Sequence, residues 1–141
     1  MTRYLVDTDW AIEYLTGQPR AVRVLQAIPR ERLSISVVSL GEIYDGIVGG
    51  REPEKALAVL NKFLARLTIL DVTHETSRLF GHHRAKLRQR GLLIDSSDIF
   101  IAATCLQHGL RIFTNNVDHF NRIEGLEIGL AEGDGAASPP Q

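Results

Sequence analysis

The 141-residue chain holds one cysteine, Cys105. A lone thiol excludes an intramolecular disulfide and any zinc site built from several cysteines. It sits within the apolar run Ile99 to Leu106, where an inert buried thiol is expected. Long apolar runs are missing as well. No stretch approaches the roughly 18 apolar residues of a membrane span. The start, Met1-Thr2-Arg3-Tyr4-Leu5-Val6-Asp7, has too few apolar residues for a signal peptide. A cytoplasmic protein without a membrane partner is the expectation. An excess of charge of one sign is also lacking. The formal net charge is -1, with 23% charged residues. A nucleic-acid ligand would therefore need a local basic patch or a metal. What remains is ordinary: 44% hydrophobic residues at a length that suits one compact domain.

Apolar runs and helical spacings alternate along the chain. Tyr4-Leu5-Val6 reads as a buried strand that stops at Asp7. Trp10, Ala11, Tyr14 and Leu15 recur at helical spacing until Gly17 and Pro19, and a second helix is expected from Arg20 to Ile28. The β-branched stretch Leu33 to Val38 reads as a strand. Leu40, Ile43, Tyr44, Ile47 and Val48 form the face of an amphipathic helix that ends at Gly49-Gly50. Pro53 opens another helix with Leu57, Leu60, Leu64 and Leu67 on one face. Leu67 to Val72 is read as a strand, and a long helix from Glu75 to Arg90 stops at Gly91. Ile99 to Leu106 is apolar nearly all round, as in a buried helix, and Gly109 is its C-cap residue. Leu110 to Phe113 is a strand and Leu126 to Leu130 a weaker one. Residues 1–131 are expected to form the domain. The tail 132–141 has no large apolar group and is expected to be disordered. The alternation argues for an α/β fold with a mainly parallel sheet.

In such sheets ligands bind beyond the carboxyl ends of the strands. Asp7 follows the first strand. Glu42 is expected in the first turn of the helix after the second strand, and Asp98 in the first turn of the helix before the fourth. Asp118 falls in the loop after that fourth strand. If the crossover helices run antiparallel to the strands, all four acids share one edge. Gathered carboxylates repel unless a cation joins them. Hard oxygen donors point to Mg2+ or Mn2+, which activate water and stabilise charge in phosphodiester hydrolysis. Local capping is the competing explanation: Ser39-Leu40-Gly41-Glu42 fits a capping box, and Asp95 to Asp98 a similar cap. The stretch Arg78 to Arg90 carries Arg84, Lys86 and Arg88 and no acid. It is either a solvated helix face or a phosphate-tracking surface.

Four segments carry a resemblance. They are Tyr4-Leu5-Val6-Asp7-Thr8-Asp9, Ser36 to Gly46, Asp98 to Thr104, and Thr114-Asn115-Asn116-Val117-Asp118-His119-Phe120. Together, from about Tyr4 to Ile128, the chain resembles the PIN-domain family, and especially VapC-type toxins of toxin–antitoxin pairs. The resemblance implies a three-layer α/β/α domain and a metal-dependent endoribonuclease. It also implies a homodimer restrained by a cognate antitoxin. Asp7, Glu42 and Asp98 match the family's core acids, with Asp7 and Asp98 as ligands of Mg2+, for which Mn2+ can substitute. Asp118 is the expected fourth acid, with Asn116 as the other position for that role. Many relatives carry a carboxylate where this chain has His119, which is read as a surface loop residue. Asp9 stands where the family usually has asparagine and is either a supporting acid or a cap of the following helix. Thr114 resembles the family's hydroxyl residue near the metal. Two other readings stay open: a non-catalytic PIN-like RNA-binding module, and a haloacid-dehalogenase-type phosphohydrolase using Asp7 and Asp9. The second also needs a late lysine, and the lysines here are Lys55, Lys62 and Lys86.

Overall fold

A computed structural model describes residues 1–134. Four short strands, β1 (Tyr4–Val6), β2 (Leu33–Ser36), β3 (Thr68–Leu70) and β4 (Arg111–Phe113), form one sheet in the order β3-β2-β1-β4. Every pairing is parallel. The weaker strand expected over Leu126 to Leu130 is reduced to one bridge between Ile112 and Ile128. The helices are α1 (Thr8–Leu15), α2 (Pro19–Gln26), α3 (Val37–Val48), α4 (Pro53–Leu64), α5 (His74–Gln89), α6 (Ser96–His108) and α7 (Val117–Phe120).

Side chains alternate across the sheet as strand geometry requires. Tyr4 and Val6 join Trp10, Leu25, Ile43, Leu60, Phe63 and Phe113 in one core, under α1 to α4. Leu5 joins Leu87, Ile99, Ala102, Cys105, Ile112 and Phe120 in the other, under α5 to α7. The result is the three-layer α/β/α arrangement. On the first face the Phe113 ring stacks between Tyr4 and Trp10, at centroid distances of 4.6 and 4.9 Å.

Three local expectations change. Strand β2 stops at Ser36 rather than Val38, because the Ser36 hydroxyl accepts a hydrogen bond from Val38 N at 3.0 Å and starts α3 there. Glu42 therefore lies in the second turn of α3, and the Ser39–Glu42 capping box does not form. Ser39 is fully buried. Helix α5 does not run antiparallel to the strands. Gln107, late in α6, bonds to Thr73 and Thr76 at the start of α5, and Phe80 stacks on Phe100, so α5 and α6 form an antiparallel pair. The C-terminal half of α5 consequently lies at the Asp98 end of α6. Lastly, residues 132–134 form a turn, and Asp134 accepts hydrogen bonds from the Tyr4 hydroxyl and from Arg32 Nη2, the latter at 2.8 Å. Polar anchoring there replaces the apolar burial that the tail lacks. The rest of the expected disordered tail, 135–141, lies outside the described residues.

Helix α6 behaves as its composition predicts. Six of its residues are buried, and Gly109 ends it in the left-handed conformation (φ 66°).

Phe113 fills the centre of one core and ends the strand that leads into Thr114. Phe113→Ala should lower unfolding free energy by about 3–5 kcal/mol, read as a reduced urea midpoint with an unchanged denaturant slope.

Candidate active site

The sheet order places β1 beside β4, with β2 and β3 on the other side. The direction of chain progression reverses between β1 and β4, and a crevice opens at such a switch. Asp7 ends β1 there, and Thr114 to Asn116 follow β4. Pairing of Val6 with Phe113, extended by the bond from Asp7 N to Phe113 O at 3.0 Å, sets the two segments side by side.

Asp7 is 5% exposed. Its Oδ1 accepts from Thr8 N at 2.8 Å, which caps α1, and its Oδ2 accepts from the Thr114 hydroxyl at 2.7 Å. Burial pushes its carboxyl from an ordinary 3.8 up to about 7. The Thr114 and Thr8 hydrogen bonds oppose that rise, and the charges of Asp9 and Asp98 add to it. Asp98, in the first turn of α6, is the partner acid. Its Oδ2 lies 2.9 Å from His119 Nδ1 and 3.3 Å from Asn116 Nδ2. Glu42 is exposed, and its Oε1 accepts from the Thr8 hydroxyl at 2.6 Å. That bond ties α3 to the start of α1 and brings Glu42 to the same edge.

The other expected site residues divide. Thr114 bonds to Asp7. Asn116 faces Asp98. Asp9 is half-buried and structural: it accepts from Trp10 N at 2.6 Å and Asn115 N at 2.9 Å, so it holds the loop after β4. Burial raises its carboxyl above the ordinary value. A carboxylate engaged by two backbone donors is badly placed as an acid/base partner, which counts against the haloacid-dehalogenase reading. Asp118 does not join the others. Its side chain is 80% exposed and pairs with Arg122 Nη2 at 2.9 Å, one helical turn on. Helix α7 turns position 118 outward and positions 116 and 119 inward.

Sequence reasoning misses two groups. His119, expected as a surface loop residue, touches Asp98. The signal is present in the sequence: Asn116 and His119 are three apart, so one turn of helix puts them on one face, and the adjacent Phe120 is fully buried. The second group is Asn115, whose Oδ1 accepts from Trp10 Nε1 at 3.1 Å and Arg20 Nη2 at 2.8 Å. Its amide donates to Glu13, and Arg20 lies 4.7 Å from the Trp10 ring centroid.

Among the described residues, no three His, Cys, Asp or Glu side chains are gathered closely enough to hold a metal ion by themselves. The donor chemistry still fits Mg2+, which binds through one or two carboxylates and keeps several waters. Asp7, buried beside like charges, is a carboxylate that a cation would allow to ionise.

Beside this edge runs an apolar groove of about 560 Å³ between α1, α3 and α4. Ile12, Leu15, Ile43, Ile47 and Val59 line it, and Glu42 stands at its margin. On the other side, Lys86 of α5 pairs with Glu124 at 2.6 Å, Arg84 is half-buried and Arg88 is exposed.

Residues 4–126 match the PIN domain family. The chain is 32% identical over 126 residues to the ribonuclease VapC2 of Haemophilus influenzae, covering 89% of this chain and 96% of that one. It is 31% identical to the tRNA(fMet)-specific endonuclease VapC of Salmonella typhimurium, covering 91% and 97%. Among solved structures, the DNA-bound VapBC from Salmonella typhimurium superposes with a TM-score of 0.84 at 31% identity, over 92% of this chain and 98% of that one. VapBC2 from Rickettsia felis, bound to a DNA fragment from its promoter, gives 0.83 at 27% identity, over 91% and 98%.

The Asp7 environment contributes to the pH response of the metal-free protein. Its carboxyl binds a proton more tightly folded (about 7) than at its ordinary 3.8. Its contribution to stability is thus full below about pH 4 and lost as pH rises to about 7. Asp7→Asn keeps the α1 cap and removes the charge. The variant's melting temperature should exceed that of the wild type at pH 7.5, and the gap should shrink steadily toward pH 4. A gap independent of pH would show that Asp7 ionises freely in the fold.

Proposed function

The chain belongs to the PIN domain family, and from that premise we propose that it is a divalent-metal-dependent endoribonuclease, the toxin of a VapBC-type toxin–antitoxin pair. One observation carries the reading most: a buried carboxylate, Asp7, held by two donors at the β1/β4 crevice within electrostatic reach of Asp98. The names of the relatives, ribonuclease and tRNA-specific endonuclease, support RNA as the substrate class.

Mg2+, with Mn2+ able to substitute, would be held by Asp7 and Asp98. When bound it supplies charge neutralisation at the phosphate and an activated water. The protein's own groups divide the remaining work. Thr8 N and Thr114 fix both oxygens of Asp7, so the carboxylate loses little freedom when it binds. Asn116 and His119 fix Oδ2 of Asp98. Glu42, exposed and tethered by Thr8, is the carboxylate free to orient the attacking water. Asn116 rather than Asp118 takes the fourth position, since Arg122 already engages Asp118. The backbone of an RNA strand would run from the acids toward Arg84, Lys86 and Arg88, at the same end of the α5/α6 pair as Asp98.

An antitoxin fits the groove beside Glu42. A segment with apolar residues against Ile12, Ile43, Ile47 and Val59 would lie next to the acids, and an arginine from it would pair with Asp7 or Asp98 in the cation's place. The homodimer that the resemblance implies belongs to the same reading.

Asp98→Asn and Asp7→Asn should each reduce single-turnover RNA cleavage at least a hundredfold (about 3 kcal/mol in barrier) at fixed Mg2+, with circular dichroism unchanged. Full activity in either variant would remove that residue from the site. Replacing Arg84, Lys86 and Arg88 together by Gln should weaken RNA binding and flatten the log–log slope of affinity against salt. Each phosphate no longer neutralised should lower that slope by about 0.7. An unchanged slope would return α5 to a solvated face.

A further inference from the structure

On the face of the sheet covered by α1 to α4, planar groups are stacked in a column. The Tyr4 and Phe113 rings lie 4.6 Å apart at 22°, and the Phe113 and Trp10 rings 4.9 Å apart at 25°. The Arg20 guanidinium ends the column, its carbon 4.7 Å from the Trp10 ring centroid. Phe113 occupies one face of Trp10, so Arg20 lies on the other. The three rings are buried, whereas the Arg20 side chain is 56% exposed. The side of the guanidinium turned away from Trp10 therefore meets solvent.

That guanidinium is held in place. Its Nη2 donates to Asn115 Oδ1 at 2.8 Å, and Glu13 Oε1 lies 3.6 Å away. Asn115 Oδ1 also accepts from Trp10 Nε1 at 3.1 Å, and its amide nitrogen donates to Glu13. Two donors and one acceptor leave the Asn115 amide a single orientation. Asn115 sits between Thr114, which bonds to Asp7, and Asn116, which bonds to Asp98. One loop residue thus fixes the end of the column beside both acids. Covering Trp10 does not require this, since an aliphatic side chain would cover it without the entropy cost of ordering an arginine. Glu13 offsets the charge of Arg20 and Asn115 engages one N–H edge. What stays free is the planar face, a surface on which unpaired bases of RNA stack.

We propose that Arg20, backed by Trp10 and pinned by Asn115 and Glu13, is a stacking platform for an unpaired base of the bound RNA. It flanks the acids on the side opposite Arg84, Lys86 and Arg88, since α1 and α5 cover opposite faces of the sheet. The proposal rests on the nuclease reading of this edge and adds a contact to a base rather than to phosphate. Every base has a stacking face, so the platform demands an unpaired base without choosing which one.

Trp10 is the only tryptophan, so its fluorescence reads the platform directly. The whole chain, kept in EDTA so that RNA stays uncut, is titrated with short oligouridine and with a base-free ribose-phosphate oligomer of equal length. Oligouridine should change the Trp10 emission and bind about five- to a hundredfold more tightly than the base-free oligomer. Arg20→Lys keeps the charge without the plane, and Arg20→Leu keeps Trp10 covered without either. Both should lose that advantage, with circular dichroism unchanged and the salt slope of oligouridine binding as in the wild type. Equal binding of the two oligomers by the wild type would overturn the proposal. So would full affinity in Arg20→Lys together with a slope lowered by about 0.7 in Arg20→Leu, the mark of a phosphate contact. RNA cleavage in Mg2+ is scored separately. Cleavage with equal binding of the two oligomers defeats the platform alone, and base-dependent binding without cleavage defeats the nuclease reading alone. No binding of RNA, with or without Mg2+, defeats both.

Discussion

The parallel pairing of β1 with β4 is the constraint on which the rest depends. It joins residues more than a hundred apart in sequence and places the last residues of both strands at one level. Asp7 and Thr114 become neighbours because Val6 and Phe113 are paired, and for no local reason. Buried apolar groups on both faces hold that pairing. Leu5 and Ile112 lie under α6, while Tyr4 and Phe113 stack on the opposite face. Two hydrophobic cores thus fix the position of one carboxylate.

That position has an electrostatic cost. Asp7 is buried with like charges nearby, and the two hydrogen bonds it receives offset only part of the desolvation. A fold optimised for stability alone would have no acid there. Strain of this kind belongs to a site whose ground state awaits a ligand of opposite charge. Asp9 shows the contrast. It also rises above the ordinary range, but two backbone donors and its place at the start of α1 give it a structural role.

Much of the fold was legible because its signals are local. Apolar runs end at Asp7 and Phe113, helical spacings run between glycines, and Gly109 closes α6 as expected. The edge shared by Asp7, Glu42 and Asp98 follows from the order of the elements. What was not legible depends on competition or on distance. Val37 and Val38 are β-branched and read as strand, yet the Ser36 cap draws them into α3. The direction of α5 follows from its short connection to α6, which folds the two helices back on each other with Phe80 against Phe100 and Gln107 against Thr73 and Thr76. The α7 turn decides between Asp118 and His119. A carboxylate at 118 has the chemistry of a site residue, but one helical turn aims it at Arg122 and gives the inner face to His119.

The strand order also has a consequence in time. Asp7 is synthesised 107 residues before Thr114. A ribosome-bound chain that has made β1, β2 and β3 can pair those strands and bury part of one core, but it lacks the strand that holds Asp7 from the other side. Non-local parallel pairing is also slow to form. The acids therefore come together only once β4 has been made and can close upon β1. A chain stopped short of β4 does not carry the assembled site.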